Sequence, residues 1–317
     1  MVLSYEQVKD ITFGAIDILR QEDGIHFAKC SSRQIEAWYK LRNDLGERAE
    51  TTTGVTIDFH TNTRSVEFSV IGNKFELLID GVLTQQVMSE LEMPRKESVI
   101  CQELSEGEHR ITFIFPSHDI GVLRRVTVDD DSYVLPHKFD KKILFIGDSI
   151  TQGWDSKFEC MSFAYRVADF YNAEHVINGI GGAIYHPSTF DKVNFDPDMV
   201  VVAYGTNDYD YYGTFQEFRE NMSSYLELVR QAYDEKKVFV ILPIRRFDLT
   251  WARDVGTFED CRTAIQRECK KQGFEVVDGY KLVPPMASFY ADVVHPNDLG
   301  FSVYAEKLIG KMNEGYA

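Results

Sequence analysis

The stretch Lys141–Trp154, reading KKILFIGDSITQGW, constrains this chain more than any other. Ile143–Ile146 is an unbroken apolar run that breaks into Gly147-Asp148-Ser149. A short apolar run closed by small turn residues reads as a strand buried on both faces of a parallel sheet. The residues that follow, from Phe158 to about Tyr171, carry a helical pattern. Ser149 is therefore expected on a strand-to-helix crossing, and in open α/β sheets ligands bind at the carboxyl ends of strands. The spacing is not that of a G-x-S-x-G nucleophile elbow.

From Lys141 onward apolar strands alternate with amphipathic stretches. The pattern predicts strands at 142–147, 174–178, 199–204, 237–242 and 274–278, and helices at about 158–171, 215–233, 257–272 and 298–314. That alternation implies βαβ units, hence a parallel sheet with helices on both faces. Residues before about 139 read differently. Val55–Phe59, Ser65–Val70, Lys74–Ile79 and Arg110–Phe115 are rich in β-branched and aromatic residues, and turn signals such as Asp80-Gly81 separate them. Short strands at regular spacing predict a β-sandwich or jelly roll, with 75–82 as one hairpin. The expected organisation is an all-β accessory domain over 1–139 and an α/β domain over 140–317, with Leu135–Lys138 as the linker.

Three segments fall where predicted strands end: Gly179-Ile180-Gly181-Gly182, Gly205-Thr206-Asn207-Asp208, and Asp292-Val293-Val294-His295-Pro296. Acyl transfer from an ester needs a nucleophile, a base and donors for the oxyanion. Ser149 supplies a hydroxyl. Asp292 and His295, three residues apart, let one turn set a carboxylate against an imidazole, the pairing that fixes a tautomer and stabilises the charged ring. Gly182 lets a backbone N–H approach a substrate without a Cβ in the way. The Asn207 amide is a neutral donor. Each piece alone has a plain structural account, since Asn-Asp turns and glycine pairs are common; their convergence at strand ends is what points to catalysis.

Those residues resemble the sequence blocks of the SGNH (GDSL) hydrolases. Gly147-Asp148-Ser149 with Ile150-Thr151-Gln152-Gly153 is similar to the first block, Gly182 takes the place of the second-block glycine, Gly205-x-Asn207-Asp208 is similar to the third, and Asp292-x-x-His295-Pro296 to the last. Gly181 stands where many members carry serine. The resemblance implies a flavodoxin-like sheet with a serine-esterase site: Ser149, Asp292 and His295 as the triad, Gly182 and Asn207 as oxyanion donors. The layout, a jelly roll before the hydrolase domain, is similar to that of bacterial two-domain carbohydrate acetylesterases. It implies deacetylation of an oligosaccharide, with a lipase, lysophospholipase or thioesterase on the same machinery, or an inactive carbohydrate-binding protein, as alternatives.

Trp154, Tyr185 and Tyr209 are the expected substrate contacts, with core packing the equal alternative for Trp154, and Tyr211, Tyr212 and His186 neighbour them. Trp38 is expected as core, with a sugar platform at Trp38-Tyr39 as the other reading. Arg245-Arg246 is expected to pair with acidic neighbours, and Asp129–Asp131 to be a solvated turn, because it lacks the glycine and distal glutamate of a calcium loop.

Charge and cysteine content bound the partners. A formal charge of −16 argues against nucleic acid or an anionic membrane surface, both of which call for clustered Lys and Arg. Five scattered cysteines without C-x-x-C spacing suit reduced thiols, neither a disulfide framework nor a zinc site. No metal or cofactor is expected; the partner is a small-molecule or oligosaccharide ester. The N-terminus lacks a basic segment followed by an apolar core, so a cytoplasmic location is the expectation. Oligomeric state stays open.

Overall fold

The computed structural model describes residues 1–88, 97–249 and 252–314. The C-terminal part is built on a parallel sheet in the strand order Ala173–Gly179, Lys141–Gly147, Met199–Ala203, Lys237–Ile241, Glu275–Val277. Numbered within that part, the order is 2-1-3-4-5, the flavodoxin-like arrangement whose switch point lies beside its first strand. Lys141–Gly147 pairs in parallel with a neighbour on each side, Phe145 opposite both Ile177 and Val201. Its alternate residues enter different cores. Leu144 and Ile146 pack with Val176, Val200 and Leu226, whereas Ile143 and Phe145 pack with Phe163, Phe301 and Tyr304. Burial on both faces is why the strand is apolar without alternation.

Preceding it are two antiparallel sheets stacked as a sandwich. One has the order 12–13, 56–61, 109–114, 74–79, 82–88, with Val134–Pro136 on the strand Thr56–Thr61; the other runs 17–20, 25–28, 122–128, 65–71, 97–103. Between them lie Ile57, Phe59, Phe68, Phe75 and Phe113, all 1% exposed or less, with Phe68 and Phe113 stacked at 4.1 Å. The hairpin turns on Asp80 and Gly81, both at positive φ (52° and 78°), as a two-residue I′ loop requires; Ile79 faces Val82 across it. The expected linker is thus partly a strand.

Three helices in the first part were not foreseen: Tyr5–Asp10, Ser32–Leu41 and Asn43–Ala49. The last two lie on the parallel sheet, burying Trp38, Leu45 and Ala49 in the same core as Leu144 and Val200. Trp38 is 1% exposed and offers no face to a sugar, whereas Tyr39 beside it is exposed and donates its hydroxyl to Glu50.

Polar contacts join the two parts. The wholly buried Lys29 donates to Thr51 Oγ1, Thr53 Oγ1 and the Gly179 carbonyl at 2.7, 2.8 and 2.9 Å, and burial pulls its ammonium down to about 7. Glu76, on the strand Lys74–Ile79, accepts the N–H groups of Glu159 and Cys160 at 2.8 and 3.0 Å. Lys74 pairs with the buried Glu159 at 3.1 Å and donates to the Ser156 carbonyl. The Glu76 and Lys74 contacts pin the segment after Ser149 to the sandwich. Because a buried donor stripped of its acceptor costs ~1–3 kcal/mol, Glu76→Ala should lower the free energy of unfolding by at least ~2 kcal/mol in a urea titration. A loss below ~0.5 kcal/mol, the range of an ordinary surface substitution, would remove Glu76 from that role.

Candidate active site

Gly147 closes the central strand. A Cβ there would sit 2.0 Å from Thr151 Oγ1 and 2.7 Å from the Ala203 carbonyl, so glycine alone lets the next turn fold back over the strand end. Asp148 caps that turn, Oδ1 accepting from Ile150 N at 3.0 Å, and Ser149–Gln152 form one helical turn ended by Gly153 at φ 87°. Ser149 is the first helical residue, where the N–H has no intrahelical acceptor.

The C-terminal turn comes to meet it. Oδ1 of Asp292 accepts the N–H groups of Val294 and His295, each at 2.6 Å, which turns the chain so that Oδ2 lies 2.8 Å from His295 Nδ1. His295 Nε2 is in turn 2.8 Å from Ser149 Oγ. Burial pushes the Asp292 carboxyl up, but the two N–H groups and the imidazole outweigh it and hold it below the usual range. It is therefore ionised at neutral pH and keeps the ring proton on Nδ1, which leaves Nε2 to accept from the serine hydroxyl. A hydroxyl, an imidazole and a carboxylate in that sequence can move one proton from Oγ to Nε2 as Oγ attacks a carbonyl.

After the strand Ala173–Gly179, Gly182 (φ 83°) lies in a turn braced from two directions. Arg48 Nη1 donates to the Gly181 carbonyl at 2.8 Å, and Gln152 Oε1 accepts from Gly181 N at 2.6 Å. Asn207 Nδ2 donates to the Ala183 carbonyl at 3.0 Å, which ties the two loops together. The Thr206 carbonyl accepts from Arg246 Nη1 at 2.9 Å, and Arg246 is held in turn by Asp248 and Asp210. The expected pairing of Arg246 with acidic neighbours is what the structure contains.

Trp154 is half-buried beside this group. Its ring centroid is 6.1 Å from that of His295, and it meets His118 edge-on at 4.6 Å and the Arg48 guanidinium at 5.2 Å. A cleft of about 330 Å³ opens past it, walled by Arg48, Glu50, His118, Asp119, Gln152 and Trp154. Two expectations are corrected. Tyr185 is 0% and Tyr209 2% exposed, so neither offers a surface to a substrate. Tyr185 packs edge-on against Tyr204 and Tyr225, and Tyr209 packs against Phe258 under two guanidiniums. Aromatic area outcompeted the loop position that suggested exposure.

Asp155, absent from the sequence reading, places Oδ2 3.3 Å from His295 Nδ1. The ligand atoms of Asp155, Asp292 and His295 lie within 4.8 Å of one another. A cation there would compete with the proton that Asp292 holds on the ring.

The family model described as "GDSL-like Lipase/Acylhydrolase family" matches residues 145–303, half of the chain. No curated protein matches in sequence. A solved salicylyl-acyltransferase from a tetracycline biosynthetic pathway superposes with a TM-score of 0.83 at 16% identity, over 96% of this chain and 94% of its own. A family two carbohydrate esterase from Cellvibrio japonicus gives 0.68 at 13%, covering 99% and 96%. One from Clostridium thermocellum, in complex with cellohexaose, gives 0.67 at 17%, covering 83% and 93%. At these identities the likeness is one of fold. It spans both parts, sandwich and parallel sheet.

Beneath the site, burial raises Asp148 to about 7 and Asp208, with the Asp148 charge adding to it, to about 8. Carboxyls raised in the folded state stabilise it fully below their unfolded value near 3.8 and lose that contribution as pH rises through the folded one. Asp208→Asn keeps an acceptor for Tyr185 N, which Asp208 Oδ1 now meets at 2.9 Å. Its melting temperature should gain on that of the parent between pH 5 and pH 9. A parallel pair of curves would show that Asp208 does not titrate across that range.

Proposed function

Starting from a chain that belongs to the GDSL-like lipase/acylhydrolase family, we propose a serine esterase that removes acetyl groups from an oligosaccharide. The observation that carries this reading is the run of 2.8 Å contacts from Ser149 Oγ through His295 to Asp292. Ser149 Oγ attacks the acetyl carbonyl carbon while its proton passes to His295 Nε2, and Asp292 stabilises the ring as it becomes charged. The N–H groups of Ser149 and Gly182 and the amide of Asn207 receive the oxyanion. Collapse expels the sugar alcohol, which takes the proton from Nε2. Water then attacks the acetyl-serine by the same route and releases acetate. Within this reading residues 1–139 are the accessory part and 140–317 the catalytic part.

For the substrate, Trp154 supplies a half-exposed ring beside His295, and the cleft past it mixes an arginine, a histidine, a glutamine and three carboxylates. Such a lining suits a hydroxylated ring better than an alkyl chain. One observation favours a second reading, a longer acyl group. Phe247, 46% exposed, donates its N–H to the carbonyl of Val293, 49% exposed, so an apolar rim is tied to the turn that carries His295.

Hydrolysis of p-nitrophenyl esters from acetate to decanoate, beside acetate release from acetylated xylo- and manno-oligosaccharides, separates the readings. The proposal expects a maximum at acetate and release from a sugar. A maximum at longer chains would move the acyl group to the Phe247–Val293 rim and overturn the carbohydrate assignment. Ser149→Ala should lower kcat by ~10³-fold or more with an unchanged melting curve. Turnover within ~10-fold of the parent would remove Ser149 as nucleophile.

A further inference from the structure

Asp155 has no place in the relay just described, and its conformation is unusual. It sits at φ 64°, one of three non-glycine residues at positive φ among those described, a backbone region that costs energy unless the surroundings enforce it. Those surroundings are explicit. On its N-terminal side Gly153 ends the nucleophile turn. On its C-terminal side Ser156 donates to the Asp298 carboxylate and to the Phe158 carbonyl, and its N–H bonds to the Gly153 carbonyl. The sandwich holds the same segment through Lys74 on the Ser156 carbonyl, Gln86 on the Lys157 carbonyl and Glu76 on the Glu159 and Cys160 amides. A six-residue loop anchored at so many points turns one carboxylate onto Nδ1 of His295, the nitrogen that Asp292 already meets.

We propose that Asp155 is a second carboxylate partner of the His295 imidazole, a positioning residue that steadies the charged ring with Asp292 and supports turnover when Asp292 is removed. This rests on the esterase reading of Ser149 and His295 above. The separation, 3.3 Å against 2.8 Å, makes Asp292 the proton's first acceptor and Asp155 an electrostatic companion. Burial raises the Asp155 carboxyl, His295 opposes that, and Asp292 adds to it, as expected for two like charges sharing one cation. The sandwich then acquires a role in the chemistry: strand Lys74–Ile79 fixes the loop that carries the second carboxylate.

His295 is faced by Asp292 from its own turn, by Asp155 and the buried Asp148 from the nucleophile segment, and by His118 from the sandwich loop; the Trp154 ring neighbours both it and Arg48. Removing the Asp155 charge favours the neutral ring, which is the form able to accept the serine proton. The acidic limb of kcat/KM should therefore move to lower pH. The plateau kcat should fall, because the imidazolium formed in the reaction loses a neighbour.

The test is p-nitrophenyl acetate hydrolysis by the full chain across pH 4–9. It compares Asp155→Asn, which keeps the shape and tolerates positive φ, with Asp155→Gly, which relaxes the backbone. Both should shift the acidic limb down by about half a pH unit and lower kcat by about five-fold, with KM unchanged. In the Asp292→Ala background, which should keep measurable turnover, Asp155→Asn should cost a further ten-fold or more, about double its effect in the parent. An unmoved acidic limb in both single variants, or the same factor in both backgrounds, overturns the proposal. If the Asp292 variants do not fold, the limb in the single variants decides alone. Undiminished turnover by Ser149→Ala would instead locate the failure in the esterase reading.

Discussion

Everything at the candidate site depends on how Asp292 divides its two oxygens. One is saturated by the N–H groups of Val294 and His295 at 2.6 Å, which closes the turn and holds the carboxyl ionised. The other is left to orient the imidazole. Were Asp292 to bond the ring alone, the turn would lose two of the hydrogen bonds that help hold His295 2.8 Å from Ser149, 146 residues away in sequence. The turn is secured from below as well, since Asn297 caps the helix Asp298–Asn313 and donates to the Ser288 carbonyl. Three strand ends and one turn therefore meet at a point because each is fixed by its own local hydrogen bonds.

The sandwich enters the same argument through polar contacts. Lys29, Arg48, Lys74 and Glu76 all reach past the first part to hold backbone groups of the second: the Gly179 and Gly181 carbonyls, the Ser156 carbonyl, and the amides of Glu159 and Cys160. Two of these backbone segments flank Ser149. A joint built from directional bonds to loop backbone specifies loop shape, which an apolar joint of equal area would leave adjustable. Trp38, Leu45 and Ala49 add the apolar share by covering the sheet.

Much of this was legible because it is written in short-range patterns. The strand Lys74–Ile79 and the Asp80-Gly81 turn lie where alternation and turn chemistry put them, and the five parallel strands fall within about two residues of their expected bounds. The helices at 32–41 and 43–49 were missed inside a segment read as all-β, although Ser31 and Gln34 form a capping box that announces the first. Tyr185 and Tyr209 were misplaced because a strand-end position says which face of the sheet a loop leaves from, and nothing about whether its rings turn inward. Arg48 and Asp155 were invisible for a different reason: one arrives from a helix more than a hundred residues upstream of Gly181, and the other depends on a backbone angle that sequence spacing does not encode.

The central claim is that Ser149 is an activated nucleophile and His295 the group that activates it. Intact-mass and peptide-mapping analysis after exposure to a small p-nitrophenyl alkylphosphonate reads this directly, because the reagent traps an activated serine as a stable ester. One adduct per chain, on the peptide carrying Ser149 and strongly slowed in His295→Ala, is the predicted result. An adduct on another residue, or labelling of Ser149 at the same rate without the imidazole, would contradict the account.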